Sequence, residues 1–129
     1  MELIKDNLPL FPQLVNAYRS NDVYEKIQDL ITNQIKNNSQ LKSNNGNIWQ
    51  SVSNQHKHDQ YLELNKKVID VAYDYCKDQA WKIIKEDLYI ADSWWTASTG
   101  NSSTHFTHIH SNSLLSVVFY ANVPNGSGG

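Results

Sequence analysis

Between Thr104 and Tyr120 the chain places three of its five histidines within six residues and then runs into a segment dense in branched and aromatic side chains. In an extended chain, residues two apart project to the same face. His108 and His110 therefore project together if Thr107–His110 is extended, as two imidazoles must to share one metal ion. His105 has the opposite parity and faces away unless a bulge intervenes. The same rule splits the following segment, expected as a strand over 113–123. Ser116, Val118 and Tyr120 share one face, and Leu115, Val117 and Phe119 share the other. A fully apolar face opposite one bearing two hydroxyls predicts a strand with one side in a core and the other lining a pocket.

Composition narrows the classes available. A chain of 129 residues is expected to form a single domain over 1–129. Apolar residues make up 40%, mean hydropathy is −0.58, and the net charge is −2 with no basic block. Nucleic acid is not an electrostatically favoured partner. Trp94 and Trp95 read as core and pocket wall rather than as a stacking platform, because no basic groove accompanies them. No apolar run reaches the roughly 20 residues of a membrane helix, and the first residues lack the apolar core of a signal peptide. The single Cys76 has no partner for an internal disulfide and reads as a small buried hydrophobe. These features predict a cytoplasmic protein without a membrane anchor.

Periodicity assigns the other elements. Pro9 and Pro12 punctuate a short edge strand within 8–19. Asn21 and Asp22 can cap a helix, with Glu25 completing a capping box. Its apolar stripe is Val23, Ile27, Leu30, Ile31 and Ile35, fading at Asn37–Asn38. The Asn- and Ser-rich stretch 37–47 reads as a loop, and Ile48–Val52 as a short strand. His56-Lys57-His58 repeats the His-x-His spacing, but just before a helix that spacing does not put side chains on one face; these read as solvated residues. From Asp59 a second helix is expected to about Gln79, or as far as Ile84, with a stripe of Tyr61, Leu64, Val68, Val71, Ala72 and Tyr75. Leu88–Ala97 reads as a strand, and Ser98–Ser103 as a turn. The organisation is α+β, sheet-rich in its second half.

The pattern His108-x-His110-x-x-Ser113-Leu114-x-Ser116-x-x-x-Tyr120, continuing to Val123-Pro124 and Gly126-Ser127-Gly128, resembles the 2-oxoglutarate/Fe(II)-dependent oxygenase family of marine bacteria and their phages whose first metal-ligand pair reads His-x-His. Leu10-Phe11-Pro12 resembles the family's start. Ser43-Asn44-Asn45-Gly46 with Trp49-Gln50-Ser51 resembles its Asn-Gly-Trp-Gln-Ser segment, and Trp94 or Trp95 the tryptophan ahead of the histidines. The resemblance implies a partial double-stranded β-helix, jelly-roll or cupin-like, with two helices packed on the sheet. It implies a dioxygenase that hydroxylates an unknown substrate, with Fe(II) and 2-oxoglutarate as cofactors. His108 and His110 would be the first two metal ligands. Tyr120, with Ser116 on the same parity, would face a 2-oxoglutarate carboxylate.

The chain departs from that pattern. The family's third ligand is a distal histidine, and a later arginine pairs with the far carboxylate of 2-oxoglutarate. The 19 residues after His110 contain no His, Arg, Lys, Asp or Glu. Val117 stands where the family prefers Gly. The expectation is the N-terminal part of an oxygenase-like jelly roll lacking its last strands, inactive alone, and a homo-oligomer through the exposed sheet edge. Two other readings remain: a non-catalytic binding or interaction module, or a small metal-binding protein using His105, His108 and His110 with Zn²⁺, Ni²⁺ or Cu²⁺.

Overall fold

The computed structural model describes residues 15–18, 24–37, 42–43, 48–98, 105 and 107–127. Helix α1 spans Tyr24–Asn37 and helix α2 spans Leu62–Asp78. Three short strands, β1 (Lys42–Ser43), β2 (Ile48–Gln50) and β3 (Thr96–Ser98), form an antiparallel sheet in the order β1-β2-β3. Trp49 pairs with Ser43 on one side and with Ala97 on the other.

Both helices follow their apolar stripes. On α1, Ile27 is buried while Leu30 and Ile31 are half-buried. Glu25, Lys26, Asp29 and Asn33 face solvent, as the 3.6-residue repeat requires. The capping residues Asn21 and Asp22 lie outside the described residues. A 3₁₀ turn at Asp59–Tyr61 leads into α2 and buries the Tyr61 ring against Ile27. Leu30, Ile31, Leu64 and Phe119 complete this small core.

Further along α2 the most buried positions are Ala72 and Cys76, the latter with no solvent exposure. Cys76 thus belongs to the buried stripe, in keeping with its reading as a small buried hydrophobe, and Leu62 faces outward. The helix stops at Asp78. Ala80 adopts a left-handed backbone (φ 55°), which lets Trp81 N–H bond the Cys76 carbonyl (2.9 Å) and Ala80 N–H bond the Lys77 carbonyl (2.8 Å). This is the pair of bonds that closes a helix with a Schellman turn. The Trp81 ring then meets Tyr75 edge-on at 6.0 Å.

Exposed polar contacts tie flanking segments to α2. Asn16 Nδ2 donates to Asp78 at 2.7 Å, and the Tyr18 hydroxyl donates to Asp74 at 2.9 Å. Lys85, in a 3₁₀ turn at Lys85–Asp87, pairs with Asp70 at 2.6 Å. Such exposed ion pairs contribute little. They mark where the chain returns along α2.

The β-rich second half is where sequence and structure part. No jelly roll is present among the described residues, and 113–123 is not a strand. Strand propensity expresses fit to a neighbouring strand rather than a backbone preference. Among the described residues, 113–123 has no such neighbour. Only Phe119 reaches the core, with Leu115 half-buried. Of Leu88–Ala97, only Thr96 and Ala97 belong to a strand. Residues 93–95 do run beside 51–55: Ser51 N–H bonds the Trp95 carbonyl and Gln55 N–H the Ser93 carbonyl, each at 3.0 Å. Asn54 interrupts that ladder with a left-handed backbone, φ 65°.

Smaller corrections follow from pairing. The loop expected over 37–47 contains β1, and the strand expected over Ile48–Val52 ends at Gln50. Residues 15–18 are not in a strand. The rest of the 8–19 segment, and 99–103 of the Ser98–Ser103 turn, lie outside the described residues. No helix among the described residues is long and apolar enough to cross a membrane.

Candidate metal site

Trp94 and Trp95 are neighbours, so in extended chain they project to opposite sides. Trp95 points inward and is 8% exposed. Its indole N–H donates to Gln34 Oε1 at 2.8 Å, and its backbone N–H donates to Ser51 Oγ at 3.0 Å. Trp94 points outward, and beside it lies the ring of His110, centroids 5.6 Å apart and planes tilted by 39°. The ring of His108 meets that of His110 edge-on, 4.9 Å between centroids and 83° between planes. His110 thus contacts the rings of both Trp94 and His108.

The histidine segment is not a strand, and both imidazoles are exposed. A turn follows at once: Ser113 N–H approaches the His110 carbonyl at 3.4 Å, with Asn112 left-handed at φ 65°. Asparagine tolerates that conformation better than most residues, so Asn112 acts as the turn residue. The two rings, i and i+2, come together without a sheet ladder.

The other residues singled out in the sequence are not drawn into this group. No set of three His, Cys, Asp or Glu side chains among the described residues could hold a metal ion, so His105 is not gathered with the pair. Ser116 is exposed and Tyr120 is 71% exposed. They share their parity with Leu114 (59%) and Val118 (70%), which gives this side of the segment an open, mostly apolar surface. An Fe(II) site of the oxygenase kind needs three protein ligands on one face of the ion. Two imidazoles do not meet that requirement, and no step of oxygen chemistry follows from them.

One polar cluster is absent from the sequence reading. His56 is half-buried rather than solvated. Ser93 Oγ accepts the His56 backbone N–H at 2.6 Å and lies 2.9 Å from His56 Nδ1. Asn65 Nδ2 donates to the His56 carbonyl at 2.7 Å. Asp92 accepts the backbone N–H of Asn54 at 2.8 Å and of Ser93 at 2.7 Å. These bonds hold the Asp92 carboxyl below the usual carboxylate range: the Asn54 N–H contributes most, burial opposes it, and the Ser93 N–H adds to it. His58 is exposed, as expected. Asn54, able to adopt a left-handed turn, is the one sequence signal for this loop, and it does not reveal which residues the loop meets.

Comparison with protein-family models, curated proteins and solved structures gives no match for this chain.

Proposed function

We propose that His108 and His110 bind a divalent transition metal, and that the chain carries the first ligand pair of a 2-oxoglutarate/Fe(II)-dependent oxygenase. The observation that supports this is the 4.9 Å approach of the two imidazoles on the surface of the protein. The resemblance of His108-x-His110 through Tyr120 and Val123-Pro124 to the His-x-His oxygenases gives the pair its chemistry. A two-ligand site binds metal weakly and fills its remaining positions with water. On this reading the chain alone does not hydroxylate. It favours ions that suit imidazole, Zn²⁺, Ni²⁺ and Cu²⁺, over iron. The exposed Tyr120 hydroxyl, with Ser116, is the contact for a 2-oxoglutarate carboxylate.

The test is anaerobic calorimetric titration of metal-free protein with Ni²⁺ and with Fe(II), each with and without 2-oxoglutarate. Metal binding that His108→Ala abolishes supports the ligand pair. 2-Oxoglutarate binding that needs the metal and weakens in Tyr120→Phe supports the oxygenase descent. Absence of metal binding in the unaltered protein overturns the reading.

A second reading, an interaction module, is favoured by the exposed side chains of Ile109, Leu114, Val118, Tyr120 and Val123. Exposed apolar side chains close together in sequence can form a contact site, and no charge guards the segment against pairing with a second copy. Sedimentation at micromolar concentration distinguishes the cases: a dimeric mass supports self-association, and a monomeric mass removes it.

A further inference from the structure

We propose that Asn125 is an intramolecular modification site, where the Gly126 backbone nitrogen displaces the side-chain amide as ammonia and a carboxylate results. The proposal goes beyond the metal-binding reading and does not depend on it.

Asn54, Asn112 and Asn125 each lie at a turn of the chain, and they differ in the backbone N–H that follows. After Asn54, the Gln55 N–H bonds the Ser93 carbonyl at 3.0 Å, and Gln55 is itself buried. After Asn112, the Ser113 N–H approaches the His110 carbonyl at 3.4 Å. After Asn125, the Gly126 N–H has no hydrogen-bond partner among the described residues. The 124–127 turn is closed by other bonds: the Ser127 N–H donates to the Pro124 carbonyl at 3.1 Å, and the Ser127 hydroxyl donates to the same oxygen. Gly126 supplies the positive φ, 83°, that the third residue of a type II turn requires. Asn125 is exposed, and nothing lies within 4 Å of where a Cβ on Gly126 would stand. The nitrogen is therefore committed to no acceptor, and no side chain on its own residue obstructs its approach.

The attacking nitrogen and the Asn125 Cγ belong to adjacent residues, so the step is unimolecular. The Gly126 N–H proton passes to solvent as the N–Cγ bond forms. The Cγ–Nδ2 bond breaks, and Nδ2 leaves as ammonia, taking a proton back. Water then opens the resulting succinimide at either carbonyl. Opening at Cγ gives aspartate. Opening at the Asn125 backbone carbonyl gives isoaspartate, in which the chain runs through the former side chain. The net change converts an amide and water to a carboxylic acid and ammonia. From Ser93 to Gly129 the chain contains no Asp, Glu, Lys or Arg. A carboxylate at position 125, ionised at neutral pH, is the first on that stretch, and isoaspartate lengthens the backbone inside the turn that Pro124 and Ser127 close.

The experiment incubates the folded full chain at neutral pH over days, beside free peptides spanning 108–116 and 121–129. Peptide mapping by mass spectrometry follows each asparagine, with aspartate and isoaspartate resolved. Comparison of each site with its own peptide separates the effect of the turn from that of the sequence. Asn125 is expected to convert in the folded protein at nearly the rate of its free peptide, giving both products, while Asn112 lags behind its own peptide. Protection of Asn125 in the folded protein as strong as that of Asn112 overturns the proposal. Aspartate without isoaspartate overturns the cyclic route. Asn125→Gln, whose longer amide does not close the same ring, is expected to lose the acidic product at this position, and conversion of that variant at the unaltered rate overturns attack by the Gly126 nitrogen.

Discussion

Tyr61 and Trp95 donate to one acceptor: the Tyr61 hydroxyl and the Trp95 indole N–H reach Gln34 Oε1 at 2.9 and 2.8 Å. A single amide oxygen thereby joins α1, the entry to α2 and the chain entering β3. Each donor is on a buried ring, so each must find a partner or incur the cost of a desolvated, unpaired group. Burial also pushes the Tyr61 phenol above its ordinary value, with the Gln34 bond opposing that shift.

Gln34→Leu removes the shared acceptor and leaves both donors unpaired. The expected loss of stability is about 2–4 kcal/mol, against about 1 kcal/mol for Tyr61→Phe, which removes one donor and leaves the Trp95 bond in place. Urea unfolding of the three proteins checks the ratio. Equal losses would show that the shared oxygen is not the link between the elements.

Ala80 carries a left-handed backbone that suits glycine better than any residue with a Cβ. Ala80→Gly relieves that strain and adds unfolded-chain entropy, which offsets part of the gain. The net expectation is a stabilisation of about 0.5–1 kcal/mol, read as a raised thermal midpoint. A lowered midpoint would show that Ala80 is not strained at this turn.

Cys76 has no solvent exposure in the folded chain. The native protein is expected to give no rapid reaction with a chromogenic disulfide reagent, and one thiol per chain after denaturation. Rapid reaction of the native protein would place this end of α2 outside the core.

Asp92 links pH to the loop that holds His56. Its folded pKa lies below the ordinary carboxylate value, so it stabilises the fold fully above about pH 5 and loses that contribution as pH falls through about 4 and below. Asp92→Asn, which does not titrate, is expected to flatten the acid side of the stability profile between pH 5 and 3. The rest of the profile should keep its shape. An unchanged acid limb would assign the dependence to other carboxylates, such as Asp70 and Asp74, which Lys85 and Lys77 hold low.

Local signals made the helices legible. The Ile27, Leu30 and Ile31 stripe and the Tyr61 to Cys76 stripe repeat every three to four residues, and helical hydrogen bonds close within one segment. The end of α2 is harder to read because Ala80 is not the glycine that usually marks it. The neighbouring rings of His108 and His110 follow from spacing alone, since any extended stretch places alternate residues together. The strands are not legible for the converse reason. Leu88–Trp95 and 113–123 have the composition of strands, yet a strand exists only where another chain segment supplies its hydrogen bonds.

Residue order therefore determined the two helices, the opposed faces of Trp94 and Trp95, and the pairing of the two imidazoles. Each is settled by geometry within a few residues of chain. Only tertiary structure decided that the described residues form a sheet of three short strands rather than a jelly roll. It alone set Gln34 beneath both Tyr61 and Trp95, Ser93 against His56, and Trp94 against His110. Those contacts join residues far apart in sequence. They depend on which surfaces close on one another, and no local periodicity encodes that choice.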